Sequence, residues 1–282
     1  MSDHVLHLGD CIEGMRALPE KSVDVVLTDP AYSEHVHTRS RRGCIEVEEG
    51  TGRAAFNRNR ELGFEPLDDT TRENAAAQFA RLVRRWVLVF SDTESSHLWR
   101  ESLERHGLEY VRTLFWRKVG GTPQFTGDRP GIACEAITAA HPPGAKRWNG
   151  GGRQGWYDEP IMLDRAGNGA RIHSAQKPPG LIAALISDFT DFGDLVLDAF
   201  AGSGEVLVQC KRLGRRVVGW ERGWATLTDE EKELPAEQQA TILEKRKLEN
   251  FEKARKRIEA AREQYTLGLR PPKPKQHKLG GM

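Results

Sequence analysis

The sequence predicts a doubly wound α/β fold, a mostly parallel sheet with helices on both faces. Three observations carry this. Short Val- and Leu-rich runs recur and read as buried strands: residues 23–29 (VDVVLTD), 86–90 (WVLVF), 195–198 (LVLD) and 216–220 (RVVGW). Between several of them lie stretches of helical length and period. Two of the runs end in an acidic residue followed by a break, Asp29-Pro30 in one and Asp198 with the turn through Gly202 and Gly204 in the other. Ligands of open α/β sheets bind outside the carboxyl ends of the strands.

In chain order, residues 5–8 read as a strand, and Gly9-Asp10-Cys11 turns into a short helix with Asp10 suited to its N-cap. The next strand stops at Asp29, because Pro30 has no N–H for a sheet ladder. Residues 33–71 are polar and carry Arg39, Arg41, Arg42, Arg53, Arg58 and Arg60. They read as a mobile basic loop suited to phosphates, or as a loop that orders only on DNA. Helices are expected over 74–85 and 94–106, the second closed by Gly107. Strands over 108–116 and 132–140 follow with little helix between them, which suggests a hairpin at the end of the sheet.

Residues 142–172 are rich in Gly, Arg and Trp. Lys146, Arg147, Trp148, Arg153, Trp156 and Tyr157 mix cations and aromatics as surfaces that hold bases and phosphates do; the other reading is a packed loop whose tryptophans cover the core. Helices are expected over 181–189 and 205–213. Residues 228–265 carry many opposite charges at i,i+4 and read as one or two exposed helices. Residues 270–282 read as a basic disordered tail, either adding nonspecific DNA affinity or without a role.

Composition narrows the function. The 282 residues are 38% hydrophobic and 29% charged, enough for one large α/β domain with insertions. No apolar run reaches the roughly 18 residues of a membrane span, and residues 1–10 lack a signal peptide's basic start and apolar core, so a cytoplasmic location is expected. Cys11, Cys44, Cys134 and Cys210 are scattered with no CxxC pair, which points to reduced thiols and no metal site. The net charge is only +1, so any nucleic-acid surface must come from local clusters of the 42 Lys and Arg residues.

Three motifs now stand in order: DPAY at residues 29–32, HSAQKP at 173–178 and DAFAGSG at 198–204. They resemble the amino-group DNA methyltransferases, whose catalytic motif is [DNS]PP[YFW] and whose cofactor motif centres on FxGxG. The catalytic motif comes first, as in the permuted beta class, and the resemblance covers residues 6–221. It implies a seven-stranded Rossmann-like methyltransferase sheet with an antiparallel edge hairpin over residues 1–222. Within that domain it implies a target-recognition insert at 142–172; a charged extension fills 223–282. It further implies methyl transfer from S-adenosyl-L-methionine to the 6-amino group of an adenine flipped out of double-stranded DNA.

In that family Asp29, Pro30 and Tyr32 correspond to the catalytic set. The cofactor set corresponds to Asp10, Cys11, Asp29, His173, Gln176, Lys177, Asp198, Phe200, Ala201, Gly202, Gly204 and Glu221. Glu221 follows the glycines by about 20 residues, the usual distance for an acid that accepts ribose hydroxyls. A sulfonium transfers its methyl in one in-line step, so no metal is implied. Ala31 departs from the family's second proline, at a position that contributes chiefly backbone. The alternatives are a cytosine 4-amino methyltransferase, whose motif more often begins with Ser, and a catalytically weak DNA-binding relic. A nicotinamide dehydrogenase would explain AGSGEV but neither DPAY nor HSAQKP. No nuclease signature is present on the chain, which suits either an orphan or phage methylase or the modifying half of a restriction–modification pair.

Overall fold

The structure is a computed structural model that describes residues 4–31, 44–47, 54–57, 67–120, 130–161 and 176–263. Tyr32, His173, the arginines at 39, 41, 42, 53, 58 and 60, and the basic tail lie outside the described residues.

The elements follow the apolar patterning. In chain order they are β1 (His4–Leu8), α1 (Cys11–Arg16), β2 (Val25–Thr28), β3 (Cys44–Val47), β4 (Ala54–Asn57), α2 (Asp69–Leu82), β5 (Val87–Ser91), α3 (Ser96–Arg105), β6 (Glu109–Val119), β7 (Cys134–His141), β8 (Trp156–Pro160), α4 (Pro179–Phe189), β9 (Leu195–Asp198), α5 (Glu205–Arg212), β10 (Arg216–Glu221), α6 (Asp229–Lys232) and α7 (Ala236–Ala260). The main sheet runs β1-β10-β9-β2-β5-β7-β6-β8. The strands from β1 to β5 in that order are parallel, β7 is antiparallel to β5 and to β6, and β8 pairs parallel with β6.

Alternation along the strands explains the two faces. Val26, Val87, Val89 and Leu197 point into a core with Met15, Phe79, Leu82, Trp99 and Leu103 from α1, α2 and α3. Val25, Leu27, Leu88, Phe90 and Val196 point the other way, against Leu181, Leu185, Phe189, Leu207 and Ile258 from α4, α5 and α7. Both faces are covered, which is why the central strands read as nearly continuous apolar runs. β2 and β9 are neighbours, while the chain leaves β2 toward β5 and β9 toward β10. The crevice of this sheet therefore opens above β2 and β9, where the connections diverge.

Three expectations need correction. The sheet has eight strands, not seven, and the β6–β7 hairpin is not at its edge, because β8 covers β6 in parallel register from Phe115↔Trp156 to Val119↔Pro160. Five residues after a glycine run show too little alternation to betray a strand. The aromatics read as base contacts are partly core: Tyr157 is buried and its hydroxyl donates to Asp188 Oδ2 at 2.8 Å, while Trp148 packs edge-on against Phe189 at 4.9 Å. Lys146 pairs with Glu109 and Arg147 with Asp191. Lastly, the stretch read as a loop contains the antiparallel pair β3–β4.

Helix α7 is charged but not detached. Phe251, Ala254 and Ile258 are buried, and Lys211 Nζ donates to the carbonyls of Ile258 and Glu259 at 3.1 and 3.0 Å. Gly204, with φ of 75°, has no room for a side chain: a Cβ there would sit 2.9 Å from Ile258 Cδ1. Among the described residues no helix is long and apolar enough to cross a membrane. Replacing Ile258 by Ala should cost about 2–5 kcal/mol, the usual range for a buried aliphatic truncation. Equilibrium unfolding in urea measures this; an unchanged midpoint would mean that α7 contributes nothing to the core.

Candidate active site

The site is built from strand ends. Asp29 follows the fully buried strand β2, and Pro30 stops the ladder there. Lys177 Nζ donates to Asp29 Oδ2 at 2.5 Å. Asp29 Oδ1 is buried and has no hydrogen-bond partner among the described residues. Burial pushes the Asp29 carboxyl up to about 6, with Lys177 acting against that rise. Burial also works against the charge on Lys177, but Asp29 and Glu135 outweigh it and raise the ammonium's pKa. The carboxylate is thus held ionised near neutral pH in a place that otherwise disfavours charge.

Lys177 reaches the site because Pro178 and Pro179 begin α4 and fix the preceding backbone as extended. Its Nζ also stands 3.3 Å from Glu135 Oε2 and 5.2 Å from the centre of the Phe90 ring. A cleft lined by Ala31, Leu67, Arg72, Phe90, Asp92 and Trp99 opens at the segment that follows Asp29 and Pro30.

The second half sits at the ends of β9 and β10. Thr28 Oγ1 donates to Asp198 Oδ1 at 2.8 Å, tying β2 to β9 where they diverge. The Phe200 amide points at the same two oxygens, 3.1 Å from Thr28 Oγ1 and 3.3 Å from Asp198 Oδ1. Burial pushes the Asp198 carboxyl up to about 7, and the charges of Asp29 and Glu221 add to the rise. The chain then turns through Ala201, Gly202 and Gly204. Gly202 has φ of 50°, and a Cβ there would meet nothing within 4 Å, so its outer side is open. Glu221 reaches back into this turn: Oε2 accepts from the Gly202 amide at 2.6 Å and Oε1 from the Gly223 amide at 2.7 Å. Burial raises the Glu221 pKa while those amides oppose the rise. Each carboxylate oxygen keeps a further lone pair for an incoming donor.

Asp10 caps α1, accepting from the amides of Ile12 and Glu13 at 2.7 and 3.0 Å, and its other oxygen pairs with Arg222. Cys11 follows it, buried, with its thiol pushed up to about 12 by burial. Gln176 Nε2 donates to Glu205 Oε2 at 2.9 Å, and Arg257 of α7 pairs with the same carboxylate and donates to the Ser203 carbonyl at 3.1 Å.

Of the residues singled out in the sequence, Asp29 and Lys177 are in contact. Asp198, Phe200, Gly202 and Glu221 line one turn, while Asp10 and Cys11 stand at the end of β1 beside β10. Four contributors escaped sequence reading: Thr28, Lys118, Glu135 and Arg257. Glu135 alone carried a signal, a single acid inside the apolar strand CEAITAA.

The arrangement offers a carboxylate oxygen unpartnered among the described residues and near a cleft, an acid that can accept vicinal hydroxyls, and a backbone turn open to a flat or extended ligand. It has the form of a binding site for a nucleoside-containing ligand next to an acceptor for an amine hydrogen.

A family of N6/N4 methyltransferases described as DNA methylases matches residues 23–230. The Type II methyltransferase M.HinfI of Haemophilus influenzae is 24% identical over 251 residues, 80% of this chain and 67% of that protein. The fold is shared with the complex of M1.HpyAVI with SAM, at a TM-score of 0.57 and 20% identity over 90% of this chain and 98% of that one. It is also shared with the PvuII DNA methyltransferase, named as cytosine-N4-specific, at a TM-score of 0.54 and 15% identity over 85% of this chain and 92% of that one.

Thr28→Val should cost about 1–3 kcal/mol, the range for losing a buried hydrogen bond to a carboxyl group. Unfolding in denaturant reads this directly. A cost near zero would mean that the Thr28–Asp198 bond does not hold the two strand ends together.

Proposed function

The chain belongs to the N6/N4 DNA methylase family and is a DNA methyltransferase that uses S-adenosylmethionine; from that premise we propose that its target is the 6-amino group of adenine, taken out of the duplex. The observation that supports an amino-group target is Asp29 Oδ1, a buried acceptor with no partner among the described residues, at the carboxyl end of β2; the choice of adenine over cytosine rests on Asp29 as the first residue of the motif.

The residues present fit the cofactor. Glu221 is an acceptor-only group suited to the two ribose hydroxyls, and the open outer side of Gly202 leaves room for close approach of a ligand. Asp10, Cys11, Phe200, Ala201 and Gly204 complete the wall, with Gln176 and Lys177 along its other side and His173 preceding them in the chain. When bound, S-adenosylmethionine supplies a sulfonium methyl that is transferred in a single in-line displacement.

The protein's part is positioning, since the amino nitrogen of adenine is a weak nucleophile whose lone pair is delocalised into the ring. Asp29 Oδ1 accepts one amino hydrogen and the Pro30 carbonyl accepts the other. That pyramidalises the nitrogen and turns its lone pair toward the methyl. Tyr32 stacks on the flipped base, a contact worth about 1–3 kcal/mol. Lys177 keeps Asp29 ionised and therefore an acceptor. In the resembled family a motif beginning with Asp goes with adenine, and one beginning with Ser more often with cytosine. The cytosine 4-amino group presents the same geometry, and the fold shared with PvuII methyltransferase makes it the second reading.

Asp29→Ala, which removes the acceptor, should lower methyl transfer by about a hundred- to a thousandfold, by analogy with removal of a key transition-state contact, with S-adenosylmethionine affinity largely kept. Turnover near wild type would sink the assignment. For the pH dependence, the ionised carboxylate is the active form and its pKa is raised to about 6. The ratio kcat/KM should therefore be flat above about pH 7 and fall about tenfold per unit below about 6, where Asp29 of the free enzyme is protonated. A profile flat down to about pH 5 would contradict an acceptor role for Asp29.

A further inference from the structure

Glu135, the second residue of β7, is a charged group with no part in the chemistry above. Its side chain is 11% exposed, and it lies between two lysines, with Oε1 2.8 Å from Lys118 Nζ and Oε2 3.3 Å from Lys177 Nζ. Lys177 in turn is 2.5 Å from Asp29 Oδ2. Lys118, Glu135, Lys177 and Asp29 thus form a chain of alternating sign and zero net charge, running from β6 through β7 to the end of β2. Four charges of this kind are costly to bury unless each is paired.

We propose that Glu135 is a positioning residue for methyl transfer. It draws the Lys177 ammonium toward β7, so that the lysine occupies one oxygen of Asp29 and leaves Oδ1 to the substrate amino group, while Lys118 holds Glu135 in place. The inference rests on the reading of Asp29 as the acceptor of an amino hydrogen.

The physical argument is one of competition. An ammonium has three donors, and in a site of low dielectric it settles on every acceptor within reach. Without the Glu135 carboxylate on its far side, Lys177 would shift over both Asp29 oxygens and compete with the amino hydrogen. With two carboxylates on opposite sides, its donors are divided between them. The same chain fixes the charge that Asp29 feels. Among the described residues, the charged groups facing Asp29 are Lys177, Lys118, Glu135 and Asp198. Neutralising Glu135 leaves two ammonium groups against one like charge, so Asp29 would lose its proton at lower pH. Neutralising Lys118 has the opposite sign.

The test is the turnover number against pH for wild type, Glu135→Gln, Lys118→Met and the double variant. DNA and S-adenosylmethionine are saturating, and cofactor dissociation constants and thermal unfolding are measured alongside. Glu135→Gln should lower the plateau about tenfold or more, as small misplacements at a reacting centre do. Its acid limb should move down by about half a pH unit or more, a shift readily resolved in such profiles. Lys118→Met should move the limb up, and the double variant should restore it to near the wild-type position. Cofactor affinity should stay within about twofold, because none of these groups lines the turn that holds it. An unmoved limb in both single variants, or shifts of the same sign, would overturn the proposal and reduce Glu135 to a packing role. If Glu135→Gln does not fold, the upward shift in Lys118→Met still decides. Full activity in Asp29→Ala would remove the premise itself, an outcome distinct from unmoved limbs in an enzyme that depends on Asp29.

Discussion

The ion pair between Lys177 and Asp29 is the contact on which the rest of the site depends. Its partners are 148 residues apart in sequence. Taking both charges out of water costs several kcal/mol per ion, so the pair persists only where further groups satisfy it. Here Glu135 and the Phe90 ring face the ammonium. Removing one partner of such a pair typically costs about 3–5 kcal/mol, since the other charge is left buried alone. The chain carries that risk at the point where the sheet's connections diverge. The pair pins the segment before α4 to the end of β2, and with it the half of the chain that forms the glycine turn.

Around this pair the acidic groups divide the work by their surroundings. Asp29 keeps one buried oxygen without a hydrogen-bond partner among the described residues, whereas Asp198 Oδ1 is held by Thr28 and the Phe200 amide and shapes the turn. Glu221 bridges the turn and the residue after β10, which fixes the loop and leaves lone pairs toward the crevice. Arg257, Glu205 and Gln176 then connect α7, α5 and the segment before α4 beneath the same turn. Helix α7 is accordingly part of the wall behind the glycine turn rather than an appendage.

Much of this was legible in the sequence, for physical reasons. Buried parallel strands leave continuous apolar runs, and VVLT and LVLD ended where Pro30 and the glycines required. Asp29, Asp198 and Glu221 stood out because acids at strand ends interrupt such runs. What stayed hidden depends on packing across distance. Strand β8 alternates in burial but not in residue type: Tyr157 is buried against α4 and Trp156 lies half-exposed at the sheet edge against Arg117, yet both are aromatic. Helix α7 reads as solvated because only Phe251, Ala254 and Ile258 of its 25 residues are buried. Lys118 and Glu135 look like ordinary strand charges until the hairpin brings them beside Lys177.

The most direct measurement is to incubate the protein with unmethylated DNA and labelled S-adenosylmethionine, digest the product and resolve its nucleosides by mass. The account requires the methyl on the 6-amino group of adenine. Methyl on the 4-amino group of cytosine would keep the chemistry of Asp29 and contradict the assigned base. Methyl on a ring carbon, or no product across several DNA sequences despite bound cofactor, would contradict the reading of Asp29 as the acceptor that prepares an amino group for attack.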